Sequence, residues 1–138
     1  MLGNDVKKKI ESCKALQGET VSGIISSERF LSNLASYLQA QKEDRNAVRK
    51  SYEAMKRMGG AKGYKLPAHP VDRVVSMSAE QVAVEFAKIL SKKSTRPHSE
   101  REYIYQLGKQ AYNLTIAQIV CDEFPELEPV LIPKNKAN

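Results

Sequence analysis

SERFLSNLASYLQAQKEDRNAVRKSYEAMKRMGG, residues 27–60, decides the fold class. Phe30, Leu31, Leu34 and Leu38 recur at three- and four-residue intervals. That spacing stacks side chains on one face of an α-helix, whereas a half-buried strand alternates every second residue. Val48, Tyr52 and Met55 continue the period and are expected to face inward as well. No proline or glycine separates the two halves. The stretch therefore reads as one long helix with a polar node at Gln41 and Arg45, or as two helices meeting near Lys42 to Asp44. Gly59 and Gly60 end it, because glycine accepts the left-handed conformation that closes a helix.

Toward the N-terminus, Asn4 or Asp5 is placed to cap a first helix. Its apolar face is Val6, Ile10, Cys13 and Leu16 or Gln17, and Gly18 can end it. Around Val21, Ile24 and Ile25 a short helical turn fits better than a strand. Toward the C-terminus, residues 59–77 carry two prolines and little period, and read as one long connector. Ser78 opens SAEQ, a capping box whose hydroxyl accepts from the third helical amide. Val82, Phe86, Ile89 and Leu90 are expected to form that helix's buried stripe. SERE at 99–102 reads as a second capping box before a helix reaching Phe124.

That last helix is apolar on two sides: Ile104, Leu107, Ala111 and Leu114 on one, Tyr105, Tyr112, Ile116 and Ile119 on another. Such coverage predicts a central helix. Gly108 and Ala111 would admit a close neighbour. Pro125, Pro129 and Pro133 predict an extended tail. The expected architecture is all-α: a compact single-domain bundle of about five helices over residues 1–124, with a basic connector and an extended Pro-rich tail over 125–138.

Length and composition agree. A chain of 138 residues with 41% hydrophobic and 28% charged residues can bury a core and is not of disordered type. Its apolar runs are too short to span a bilayer, and no secretory signal is visible. Cys13 and Cys121 form no CxxC motif. A cytoplasmic protein with reduced thiols is expected. The net charge of +6 is uneven: residues 1–58 and 59–98 each carry a net of +4, and residues 99–138 a net of −2. A basic body suits a polyanion.

The functional reading rests on two basic stretches. Arg45, Arg49, Tyr52 and Lys56 fall at i, i+4, i+7 and i+11, one side of a helix, with Lys50 and Arg57 close by. Such a row matches the repeating charge of a nucleic-acid backbone, and also describes a solvated face balanced by Glu43, Asp44 and Glu53. The row runs into GAKGYK, residues 60–65. GAKG has the GxxG form with which KH domains grip a backbone, but a KH fold needs strands that the pattern does not provide. The order of residues does not supply a Walker loop. A glycine stop followed by a linker is the plain reading, with Lys62 and Lys65 contacting phosphate as a second use. SKKSTRPHS, residues 91–99, is a second basic connector. The gap between its flanking helices is too long for helix-turn-helix.

Cys13, Cys121, His69 and His98 lack zinc-ligand spacing, and neither HExxH nor G-x-S-x-G occurs. No cofactor, metal or catalysis is expected. The expected function is a small accessory protein that binds nucleic acid, DNA or RNA, through phosphate contacts from Arg45, Arg49, Lys56, Arg57, Lys62 and Lys65. Tyr52 or Tyr64 would stack on a base. The alternative is a protein-interaction module or regulator, with a protein partner or a second copy held by Phe124, Leu127, Val130, Leu131 and Ile132 of the tail.

Overall fold

The structure, a computed structural model, describes residues 3–60 and 69–132. These residues are helical with no strand among them: α1 (Asn4–Ser12), α2 (Val21–Ile25), α3 (Glu28–Arg57), α4 (Pro70–Val74), α5 (Ala79–Leu90), α6 (His98–Glu123) and α7 (Glu128–Leu131). Short 3-10 turns cover Lys14–Leu16 and Pro125–Leu127.

The expected capping box at Ser78 holds, and two hydroxyl caps the sequence reading did not name join it. Ser78 accepts from the Gln81 amide at 3.2 Å, and Gln81 Oε1 accepts from the Ser78 amide at 2.9 Å. Ser27 accepts from the Phe30 amide at 3.2 Å, and Thr20 from the Gly23 amide at 3.0 Å. Two caps differ from expectation. Gly3 takes the first cap of α1, so neither Asn4 nor Asp5 caps it. α6 starts behind Pro97 with no side-chain cap. Pro97 holds an extended backbone, so the helix begins at His98 and Ser99 falls inside it. Glu102 then turns to His98, at 3.4 Å, rather than to a cap.

Residues 28–57 are one helix, which settles the choice left by the sequence. At ~1.5 Å per residue α3 is roughly 45 Å long. α3 and α6 run antiparallel: Arg29 of α3 pairs with Asp122 of α6, and Asn33 reaches Thr115 and Gln118. Toward the other end, Asp44 lies close enough to Tyr103 to act on its phenol.

The main core gathers Phe30, Leu34 and Leu38 of α3, Val74 of α4, Val82, Ala83 and Phe86 of α5, and Ile104, Leu107 and Ala111 of α6. The Phe30 and Phe86 rings stack at 6.2 Å, and Tyr105 meets Phe86 at 6.0 Å. Gly108 lies directly beneath Phe86, where a Cβ would sit 2.3 Å from the ring. The expected close approach is thus made by α5. Thr115, a buried polar residue between the apolar stripes, is satisfied twice. It donates to the Ala111 carbonyl at 2.7 Å and accepts from Asn33 Nδ2 at 3.0 Å.

A second core joins the chain ends to the C-terminal half of α6. It holds Cys13, Val120, Cys121 and Leu127, with Val6, Ile10, Leu16, Ile116 and Phe124 packed around them. The Glu123 carboxylate accepts from the amides of Lys14 and Ala15 at 3.0 and 3.2 Å, fastening the turn after α1.

Three expectations are corrected. The connector over 59–77 is not one long loop, because α4 interrupts it. His69 Nδ1 accepts from the Val71 amide while Asp72 accepts from the His69 amide, and Val71 and Val74 are buried. The tail over 125–132 is not extended but folds into the Pro125–Leu127 turn and α7. Pro125 and Pro129 stand in the first turn of each, where no amide donor is missed. Val48 and Met55 do not face inward, being 46% and 52% exposed, and Leu90, at the last turn of α5, is 45% exposed rather than buried. Beyond Leu38, α3 has no buried residue, because the helix outruns the core that its first half covers. No helix among the described residues is long and apolar enough to cross a membrane.

Candidate nucleic-acid interface

The sequence row splits when its side chains are placed. Arg45 is held against Asp72 of α4, Nε to Oδ1 at 2.9 Å and NH2 to Oδ2 at 3.2 Å. Only 16% of its side chain is exposed. A planar guanidinium meeting a carboxylate in this two-pronged way is a strong pairing. Arg45 is therefore a clamp between α3 and α4, and two of its donors are taken. Its hydrogen bonds hold the Asp72 carboxyl below the usual carboxylate range. The His69 amide and the charges of Arg45 and Arg49 act in the same direction, and partial burial opposes them.

Arg49, Lys50, Lys56 and Arg57 differ from Arg45. All four are exposed, and none has a carboxylate within ion-pair distance among the described residues. Residues 46–57 hold these four cations and one acid, Glu53. Tyr52 is half-buried, with its hydroxyl oxygen shielded from solvent, so one ring edge is turned inward. Lys62, Tyr64 and Lys65, expected in the same surface, lie outside the described residues.

The basic overhang leaves the bundle at a polar junction that the spacing did not announce. His69 meets the Tyr103 ring edge-on at 6.4 Å. Burial pushes the Tyr103 phenol up to about 12, with the Asp44 charge adding to it. The Tyr103 hydroxyl is shielded and without a hydrogen-bond partner among the described residues. Arg73, next to Asp72, donates to Glu100 at 3.1 Å, and Arg96 donates to the other Glu100 oxygen at 2.9 Å. Arg96 also donates to Glu85 at 2.9 Å. Glu100 is only 5% exposed, so two guanidiniums neutralise a buried carboxylate. Hydrogen bonds to Glu100 and then Glu85 raise the Arg96 pKa against burial. Arg96 of the second basic connector is thus a structural tie.

The tail residues proposed for a partner are arranged on the chain's own bundle. Leu127 is buried with Cys13, Val120 and Cys121, while Phe124, Leu131 and Ile132 are half-buried around them. Val130 alone is exposed, at 50%. Lys9 pairs with Glu126 at 2.7 Å and lies 5.9 Å from the Phe124 ring centre. Among the described residues, no three His, Cys, Asp or Glu side chains are gathered as a metal ion would require.

What the sequence missed is which charges are spent. Asp72 lies 27 residues from Arg45, and Glu100 lies 27 residues from Arg73, beyond any helical spacing rule. The available signals were the four-residue spacing of Arg96 and Glu100 and the His-x-x-Asp of a capping box at 69–72. No protein-family profile, curated protein or solved structure matches this chain.

Proposed function

We propose that this protein binds nucleic acid through its phosphates, without catalysis, on the overhanging half of α3. The observation carrying this reading is that Arg49, Lys50, Lys56 and Arg57 stand exposed on one short helical segment, with no ion pair among the described residues. Arg29, Arg45, Arg73 and Arg96, by contrast, each reach a carboxylate. Unpaired cations at this density attract a polyanion and gain from counterion release. The antiparallel packing is consistent with this reading, since it directs the overhanging half of α3 toward the end of the bundle at which α6 begins. Lys62 and Lys65 follow in the chain and would extend the contact. Arg45 positions the helix rather than touching phosphate.

The Arg49→Glu, Lys56→Glu double variant is expected to lose retention on heparin and on oligonucleotides while keeping its helical circular dichroism. With about four phosphates contacted, binding should weaken with log salt at a slope of roughly −3 to −4. Unchanged retention in the double variant overturns the proposal.

A second reading has its own observation. Val48, Met55 and Met58 are exposed on the same half-helix, Met58 at 86%. An apolar strip beside cations also fits a protein groove with an acidic rim. Binding that survives high salt and is lost in Met55→Ser, Met58→Ser favours that reading over the first.

A further inference from the structure

Away from α3, the corner between α5 and α6 forms a recess of about 400 Å³. It is lined by Ile89 of α5 and by His98, Arg101, Glu102, Tyr105 and Gln106 of α6. Arg101 is half-buried, and its Nε is shielded from solvent with no hydrogen-bond partner. No carboxylate lies within ion-pair distance of it among the described residues. The shielded Nε is closed to a ligand in the recess, so the terminal nitrogens of the guanidinium, which likewise have no partner among the described residues, are the donors that a ligand there would meet. Arg45 and Arg96, the other well-covered arginines, each hold carboxylates through two nitrogens.

The surroundings of Arg101 select the sign of what would pair it. Lys109 lies 5.8 Å from the centre of the Tyr105 ring that forms one wall, and it too has no ion pair among the described residues. The Lys92 and Lys93 amides bond to the carbonyls of Ile89 and Lys88, so the basic connector leaves α5 at the recess. Glu102 is the acid in the lining, and it faces His98 at 3.4 Å. Gln106 also lines the recess and carries amide donors.

The geometry points to an anion site in this recess, with Arg101 as anchor and a phosphate group as the ligand. A guanidinium presents its N–H groups as a planar fork, which matches two phosphate oxygens. Gln106 and Lys109 would meet the remaining oxygens, and Ile89 and Tyr105 would exclude water from one side. The site faces α5, on a different side of α6 from Tyr103, which faces α3 and α4. It therefore does not depend on the overhang of α3. Its phosphate belongs either to a mononucleotide or to the end of a strand, which carry the same group.

The test follows the Arg101 Nε–H resonance in the full-length protein by arginine side-chain NMR. Titration with inorganic phosphate should move it saturably, with a half-point at or below about 10 mM, within the range of weak single-group binding. Arg101→Gln should abolish every phosphate-induced shift around the recess. If that variant is unstable, Lys109→Ala, at an exposed position, should weaken the shift in the wild-type fold at least about threefold. Adenosine monophosphate and a 5′-phosphorylated oligonucleotide, each against its unphosphorylated form, identify the carrier. A gain of about tenfold with phosphorylation marks the source. No saturable movement of the Arg101 signal by inorganic phosphate overturns the proposal, as does a response independent of Lys109. Heparin retention lost on Arg49→Glu, Lys56→Glu would leave this result untouched, so the two proposals fail separately.

Discussion

Gly108 shows how a single atom is excluded. A Cβ there would meet Phe86 Cδ1 at 2.3 Å and Cγ at 2.4 Å. Phe86 cannot yield easily, because Phe30 stacks on it and Tyr105 closes a further side. Overpacking a filled core costs typically 1–3 kcal/mol. Gly108→Ala is therefore expected to destabilise by at least about 1–3 kcal/mol in urea unfolding, despite alanine's better helix propensity. A stabilised variant would mean that α5 does not pack here. Leucines on the same helix grade by burial. Leu107 is 3% exposed and Leu114 only half-buried. Leu107→Ala should cost roughly 2–5 kcal/mol and Leu114→Ala clearly less, since a half-exposed side chain leaves little cavity. At this scale the sequence was informative about apolar positions. Phe30, Leu34, Val82, Phe86, Ile104 and Ala111 are all buried where their period put them. Periodicity carries no signal for Thr115 or Glu100, whose burial depends on partners from other elements.

At the scale of elements, α3 was legible as a helix but not in what it packs against. Its pattern continues through Val48 and Met55, yet the core ends at Leu38. A helical period shows that residues share a face, not that another element covers that face. α4 was missed because five residues give too little period, although its Val71 and Val74 are buried. The tail over 125–132 was misread from Pro125 and Pro129, which stand where a helix starts. The same element view separates the cations of α3. Arg45→Met should destabilise by about 1–3 kcal/mol, because Asp72 would keep its partial burial without its partner. Arg49→Met should stay within about 0.5 kcal/mol, as an exposed cation without a partner. Chemical denaturation of both variants reads the contrast. Equal effects would show that the Arg45 clamp contributes nothing beyond a surface charge.

For the whole molecule, carboxylates act as fasteners between segments far apart in sequence. Asp72 joins α4 to α3, Glu123 holds the turn after α1, and Glu126 of the tail holds Lys9. All three carboxyls lie below their ordinary range. Arg45 hydrogen bonding is the largest cause for Asp72, the Lys14 amide for Glu123, and the Lys9 side chain for Glu126. Each carboxyl binds its proton more weakly when folded than when unfolded. Its contribution is complete above the ordinary carboxylate value near 4 and is lost as pH falls through the lower folded value. The melting temperature should thus be flat from about pH 7 to 5 and fall steeply below about pH 4. The loss should be uneven. Two of the three fasteners secure the first helix and its turn to the end of α6 and the tail, while the main core around Phe30 and Phe86 is apolar throughout. Hydrogen exchange at the Lys14 and Ala15 amides, which lose Glu123 as their acceptor, should accelerate in acid before the amides of α5 do, after correction for intrinsic rates. Glu123→Gln should remove most of that pH dependence at those two amides while leaving α5 unchanged. Simultaneous opening of both regions would show that the second core has no stability separate from the first, and that its carboxylate acts on the global transition alone.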